Sequence, residues 1–212
     1  MDLLQNVKFM ITTSYGILGM SLYTGVVVVV LCDRVKFKSS FFDLFCVGYF
    51  MNLFTYVNSF ITLRLPQNTG MGGSLYNFFS NYGENNIDSN FPLNLFHTLH
   101  FEFAYSQYIF NCLICSNRFT AVFYPLISEK LWTRYWWTLI ILMFLLPFLC
   151  THQILINHSY YRYDNTSNSF STETTYGRSN IYFYLMPSLV FLTGLNILFN
   201  VASCVKLYKM KK

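Results

Sequence analysis

The sequence predicts an all-α integral membrane protein, a bundle of five transmembrane helices, and three observations predict it. Of the 212 residues, 54% are hydrophobic and only 11% are charged, whereas a soluble domain carries about a quarter charged residues to keep its surface wet. The apolar residues gather into five runs near the roughly 20 residues that an α-helix needs to cross a hydrocarbon core of about 30 Å. Short basic connections alternate with longer polar ones between those runs.

The first span covers 9–32, a stretch with no charged residue that closes on a valine run. A lone strand would leave its backbone groups unpaired in lipid, so the run reads as helix. The second span covers 41–63, the third 95–117, the fourth 135–156 and the fifth 180–205, all within one transmembrane domain, 1–212. Ten Lys and Arg lie in the first and third connections and the tail, against four on the opposite side. By the positive-inside rule the N-terminus is outside and the C-terminus cytoplasmic. Trp132, Trp136 and Trp137 at the cytoplasmic side of the fourth span, and Tyr160, Tyr161, Tyr163, Tyr182 and Tyr184 near the outer face, suit the aromatic belts of a bilayer. Two Asn-x-Ser/Thr acceptors, Asn157 and Asn165, fall in a loop assigned outside and are candidate N-glycosylation sites. The long Gly- and Asn-rich connection 69–90 carries Tyr76, Phe78 and Phe79, which could fold it back as a lid.

The third span is the most polar. At about 100° per residue, His97, Gln107, Asn111 and Arg118 fall within about 60° of His100. Polar groups at membrane depth are costly, so this stripe is expected to face a bundle interior or a watery cavity, with Gln107 and Asn111 as its core. His97 and His100, one turn apart near the outer end, either meet a ligand from outside or hydrogen-bond neighbouring backbone and loop groups. A metal would need further ligands, so no metal and no cofactor is expected. Cys112 and Cys115 form a C-x-x-C pattern in an apolar setting that suits packing better than thiolate chemistry. No G-x-S-x-G, H-E-x-x-H or P-loop pattern is present, which argues against an enzyme. The basic residues form no single stripe, which argues against nucleic acid.

The segment Asn117-Arg118-Phe119-Thr120-Ala121-Val122-Phe123-Tyr124-Pro125-Leu126 resembles the D-R-Y-x-A-I-x-x-P-L segment of rhodopsin-like seven-helix receptors. Two longer stretches, 39–67 and 117–132, are similar to the nematode serpentine receptors of class gamma, a chemoreceptor family, and the likeness extends over nearly the whole chain. The resemblance implies a G-protein-coupled chemosensory receptor for an external small molecule, in the plasma membrane of a sensory cell. Its implied partners are membrane lipid, an unidentified small-molecule ligand, a heterotrimeric G protein and other receptor copies. By the same resemblance Asn117, Arg118 and Phe119 form the receptor switch, His97 and His100 line the outer pocket, and Pro187 kinks the fifth helix. Asn117 stands where the rhodopsin-like pattern has an acid; it can accept a hydrogen bond from Arg118 but cannot act through protonation. The outer cysteine of that pattern is absent near Leu93, so no outer disulfide is expected. The family has seven spans, and the sixth and seventh are not among the five read here. The alternative expectation is therefore a non-signalling receptor fragment that associates with full-length receptors or is unstable.

Overall fold

A computed structural model describes residues 3–37, 39–84 and 92–211. Met1, Asp2, Lys38 and Lys212, the side chains of Leu3, Leu4, Gln5, Arg178 and Tyr184, and the 85–91 stretch of the second connection lie outside the described residues. Helix α1 (Leu3–Cys32) is followed by α2 (Ser40–Ser59), which runs through a π-helical turn, Phe60–Arg64, into the short α3 (Leu65–Gln67). The small α4 (Tyr76–Ser80) precedes the long α5 (Leu93–Phe123) and α6 (Pro125–Ile156). A hairpin of β1 (Ser159–Asp164) and β2 (Ser169–Thr174) then leads into α7 (Arg178–Lys211).

Among the described residues, four helical stretches are long and apolar enough to cross a membrane: α1, α2 with its extension, α6 and α7. These are four of the five expected spans; α5, the third, falls short on apolarity. His97, Glu102, Gln107, Asn111 and Asn117 dilute its apolar stretch. Its 31 residues nevertheless rise about 46 Å, and it packs against α2, α6, α7 and β1. The most polar long helix is the central one, as the high cost of polar groups in lipid demands.

The helices outrun the apolar runs that announced them. The 118–134 connection, read as a basic loop, is helical except at Tyr124, whose φ of −134° and ψ of 60° break α5 from α6. Pro125 opens α6, where its missing N–H leaves nothing unsatisfied.

Buried Leu44, Gly48 and Met51 of α2 recur at helical spacing and form one face. Leu44 and Met51 join Phe110 of α5 and Trp132 and Met143 of α6 in the main core cluster. A Cβ at Gly48 would lie 2.2 Å from Phe110 Cζ, so the missing side chain is what seats that ring. Large apolar residues such as Met10 and Leu22 of α1 and Phe183 and Val190 of α7 face outward, the arrangement expected where lipid is the solvent.

The 157–179 connection is a hairpin as well as a polar loop. The sequence carries the signal in retrospect: the D-N-T-S-N turn separates two strand-like runs, and β2 alternates buried and half-buried residues. Tyr161 pairs with Thr172 and Tyr163 with Phe170. Asn168 takes the left-handed backbone (φ 49°) that closes the turn, a conformation that asparagine tolerates. Phe79 of α4 folds back as expected and meets Leu93, Tyr161 and Phe170 in an aromatic cluster over one end of the bundle.

Candidate functional site

The bundle has two chemically different ends, a hairpin end and a basic end, joined by α5. At the hairpin end, His97 is 5% exposed and its Nδ1 lies 3.1 Å from Ser159 Oγ of β1. The Ser159 amide donates to Asn94 Oδ1 at 2.7 Å, so the start of the hairpin is held to the first turns of α5. His100 Nδ1 lies 3.2 Å from Ser59 Oγ of α2. The second connection is tied in by Tyr161 N–H donating to the Tyr82 carbonyl at 2.9 Å. Asn168 Oδ1 accepts from the Met71 amide at 3.1 Å and from the Tyr163 hydroxyl. Burial pushes the Tyr161 phenol well above the usual tyrosine range, so it stays neutral inside the aromatic cluster.

The hairpin also completes a backbone need created by proline. Pro66 has no N–H to give the Thr62 carbonyl four residues back; that oxygen accepts instead from Thr172 Oγ1 of β2 at 2.7 Å. The same device recurs within the bundle. Pro147 of α6 leaves the Met143 carbonyl without its helical donor, and Ser106 Oγ of α5 donates to it at 3.2 Å. Both bonds join elements that no local rule brings together.

The predicted stripe on α5 is a shared face, but only its hairpin-end half is covered. Gln107 donates to Asn52 Oδ1 of α2 at 2.8 Å, and His97 and His100 are engaged as described. Asn111 and Arg118 are exposed, whereas the stripe reading set Asn111 beside Gln107 in its core. Opposite its lower half, α2 offers Arg118 only the Phe41 ring, and Asn111 makes no hydrogen bond among the described residues.

At the basic end, Asn117 is 7% exposed and donates through Nδ2 to Ser40 Oγ at 3.3 Å. Glu129 of α6 accepts from the Ser40 amide at 3.0 Å and from its hydroxyl at 3.3 Å. A carboxylate at the first turn of α2 is favoured by that helix's dipole. Thr120 accepts from Trp132 Nε1 at 2.7 Å and lies 3.3 Å from Ser128 Oγ. Trp132 is thus a buried bundle residue, 3% exposed, while Trp137 faces outward. Arg118 does not reach Asn117; its guanidinium lies 5.6 Å from the Phe41 ring centre. Phe119 stacks on Phe123 and touches Phe199 of α7. The Asn117 end of the motif therefore binds inward, whereas Arg118 remains available.

Ser40, Ser106, Glu129 and Thr172 escaped the sequence reading. For Thr172 and Ser106 the available signal was Pro66 and Pro147, since a proline inside an apolar helix marks a carbonyl that needs an outside donor. Of the glycosylation candidates, Asn165 is exposed on the hairpin turn, while Asn157 uses Nδ2 to reach the Gln153 carbonyl at 2.6 Å. Beside Asn165, the Thr166 hydroxyl and amide, with help from Ser167, hold the Asp164 carboxyl below the usual carboxylate range. Pro187 lies within the continuous α7.

Several long apolar helices around a polar central one, lidded at one end and cross-linked at the other, define a multi-pass integral membrane protein. The family model of the Srg chemoreceptors matches residues 9–212, and the chain belongs to the Srg chemoreceptor family. It is 27% identical over 198 residues to serpentine receptor class gamma-31 of Caenorhabditis elegans, an alignment covering 93% of this chain and 63% of that relative. The chain thus spans about 63% of the length of this relative.

Proposed function

We propose that the chain is the five-span portion of a chemosensory receptor that meets a small molecule at its hairpin end and presents its basic end to a G protein in the cytoplasm. Family membership supports the receptor role, and the ten-to-four distribution of Lys and Arg supports the orientation. In this reading α5 is the third span despite its polarity. The observation that carries the mechanism is that α5 is tied at one end to the hairpin through His97 and Asn94 and at the other, through Asn117, to Ser40 of α2, which Glu129 of α6 also holds. A ligand that favours a different seat of the hairpin would thereby bias the packing at Asn117, with Arg118 and Phe119 available to the G protein. Such a shift is limited by the ligand's differential affinity for the two arrangements.

A second reading is a non-signalling piece that associates with full-length receptors, and the exposed Asn111 favours it, because a polar group facing lipid seeks a helix partner. One experiment addresses both. The chain is expressed in cells alone and joined to the remaining helices of the relative, and G-protein dissociation is recorded against a panel of small molecules. A response requiring the longer form assigns the piece reading to this chain. Silence in both forms sinks the receptor proposal. Orientation is read separately: an endoglycosidase-sensitive mobility shift that disappears in Asn165→Gln places the hairpin outside.

A further inference from the structure

We infer that a cleft between α1, the π-helical turn and the hairpin binds an anionic amphiphile, an acidic headgroup on an apolar body. This deepens the receptor reading and rests on it for the side from which a ligand arrives. The cleft has a volume of about 470 Å³, and Lys8, Phe9, Thr12, Arg64, Asn68 and Phe170 are among its walls. Two cations therefore face one space in which the half-buried Phe9 offers an apolar wall, Phe170 itself being almost fully buried.

The position of Arg64 is built by the backbone. The Leu65 amide bonds to the Phe60 carbonyl five residues back, which gives this turn an extra residue and turns Arg64 relative to a plain α-helix. Single π turns of this kind are concentrated at functional sites. Arg64 is held from behind: Nη1 lies 3.4 Å from the Thr12 carbonyl, and the guanidinium sits 5.2 Å from the Tyr56 ring centre. Among the described residues no carboxylate lines the cleft, and neither Lys8 nor Arg64 forms an ion pair. The hairpin carboxylates are engaged elsewhere, Glu173 with Arg162 and Asp164 with Thr166 and Ser167. Two like charges sharing a space lined partly by apolar groups attract an anion, and an acidic headgroup can bond the arginine in a fork while its body lies along Phe9. His97 and His100 are not part of this cleft.

The test uses the full chain in phosphatidylcholine nanodiscs and equilibrium dialysis with radiolabelled octanoate, empty nanodiscs serving to subtract lipid uptake. Octanoate is expected to bind saturably, and its neutral twin octanamide roughly tenfold more weakly. Octanoate affinity should fall as salt rises. Arg64→Gln and Lys8→Gln should each weaken it by roughly tenfold, whereas Arg162→Gln, which removes a cation outside the cleft, should leave it unchanged. Equal binding of octanoate and octanamide, or no effect of salt, overturns the inference on the unaltered chain, without reliance on any variant. Adding phosphatidylglycerol separates two sources of the same chemistry. Competition assigns the site to an anionic lipid headgroup, and no competition assigns it to a soluble acid. A chain that binds octanoate but evokes no cellular response in either form sinks the receptor proposal and leaves the cleft standing.

Discussion

The two ends of α5 are secured by different chemistry. At the hairpin end, aromatic rings and neutral hydrogen bonds hold a long-range element in place, with Phe170 and Phe79 almost fully buried at its centre. At the basic end the aromatic share is smaller, and one carboxylate, Glu129, gathers Ser40 and through it Asn117. An aromatic cluster loses stability roughly in proportion to the surface removed from it, whereas a polar network loses it in a step, when one partner leaves another unsatisfied. The hairpin end is therefore suited to graded reseating and the basic end to two discrete arrangements.

Removing the hairpin's central ring should have the largest effect. Phe170→Ala is expected to cost about 3–5 kcal/mol, and limited proteolysis should cut the 157–179 segment while α5 and α6 stay protected. A hairpin equally resistant in the variant would show that aromatic burial is not what seats it. Next comes Gly48→Ala, whose new Cβ collides with the Phe110 ring. Overpacking at that contact should lower stability by about 1–3 kcal/mol, read as a lower unfolding temperature in detergent.

Glu129→Ala leaves the Ser40 amide without its acceptor and should cost about 1–3 kcal/mol. Combined with Asn117→Ala, the loss should fall short of the sum of the two single effects, because both act through Ser40. Strict additivity would dissolve the network into separate contacts. Ser106→Ala should have a smaller effect, about 0.6 kcal/mol as for hydrogen bonds between membrane helices, and Ser106→Thr should recover part of it.

The smallest expected effect is a pH dependence confined to the hairpin turn. The depressed Asp164 carboxyl contributes fully above the ordinary aspartate pKa, and the contribution is lost as pH falls from there through its lower folded value. Hydrogen exchange at the Thr166 amide should accelerate across that acidic window relative to neighbouring turn amides, after correction for intrinsic rates. A Thr166 amide that tracks its neighbours would remove Asp164 from the turn's support.

Much of this architecture was legible because lipid makes strong demands on a sequence. Runs such as 9–32 and 135–156 have few alternatives to helix, and the basic connections set an expected orientation. The stripe through His97, His100 and Gln107 followed from helical periodicity alone. Its lower half lies exposed, since periodicity fixes which residues share a face but not what covers that face. Asn111 has the phase of Gln107 without a neighbour like Asn52.

By itself the sequence determined the helical runs, the polar phase of α5 and, through its motifs, the receptor family. Pro66 and Pro147 also marked which carbonyls would need help. Only the tertiary structure decided who answers: Thr172 lies 110 residues from Thr62, and Glu129 lies 89 residues from Ser40. Local rules act along the chain through backbone geometry and solvent preference, and partners that far apart are chosen by how whole helices and a hairpin pack.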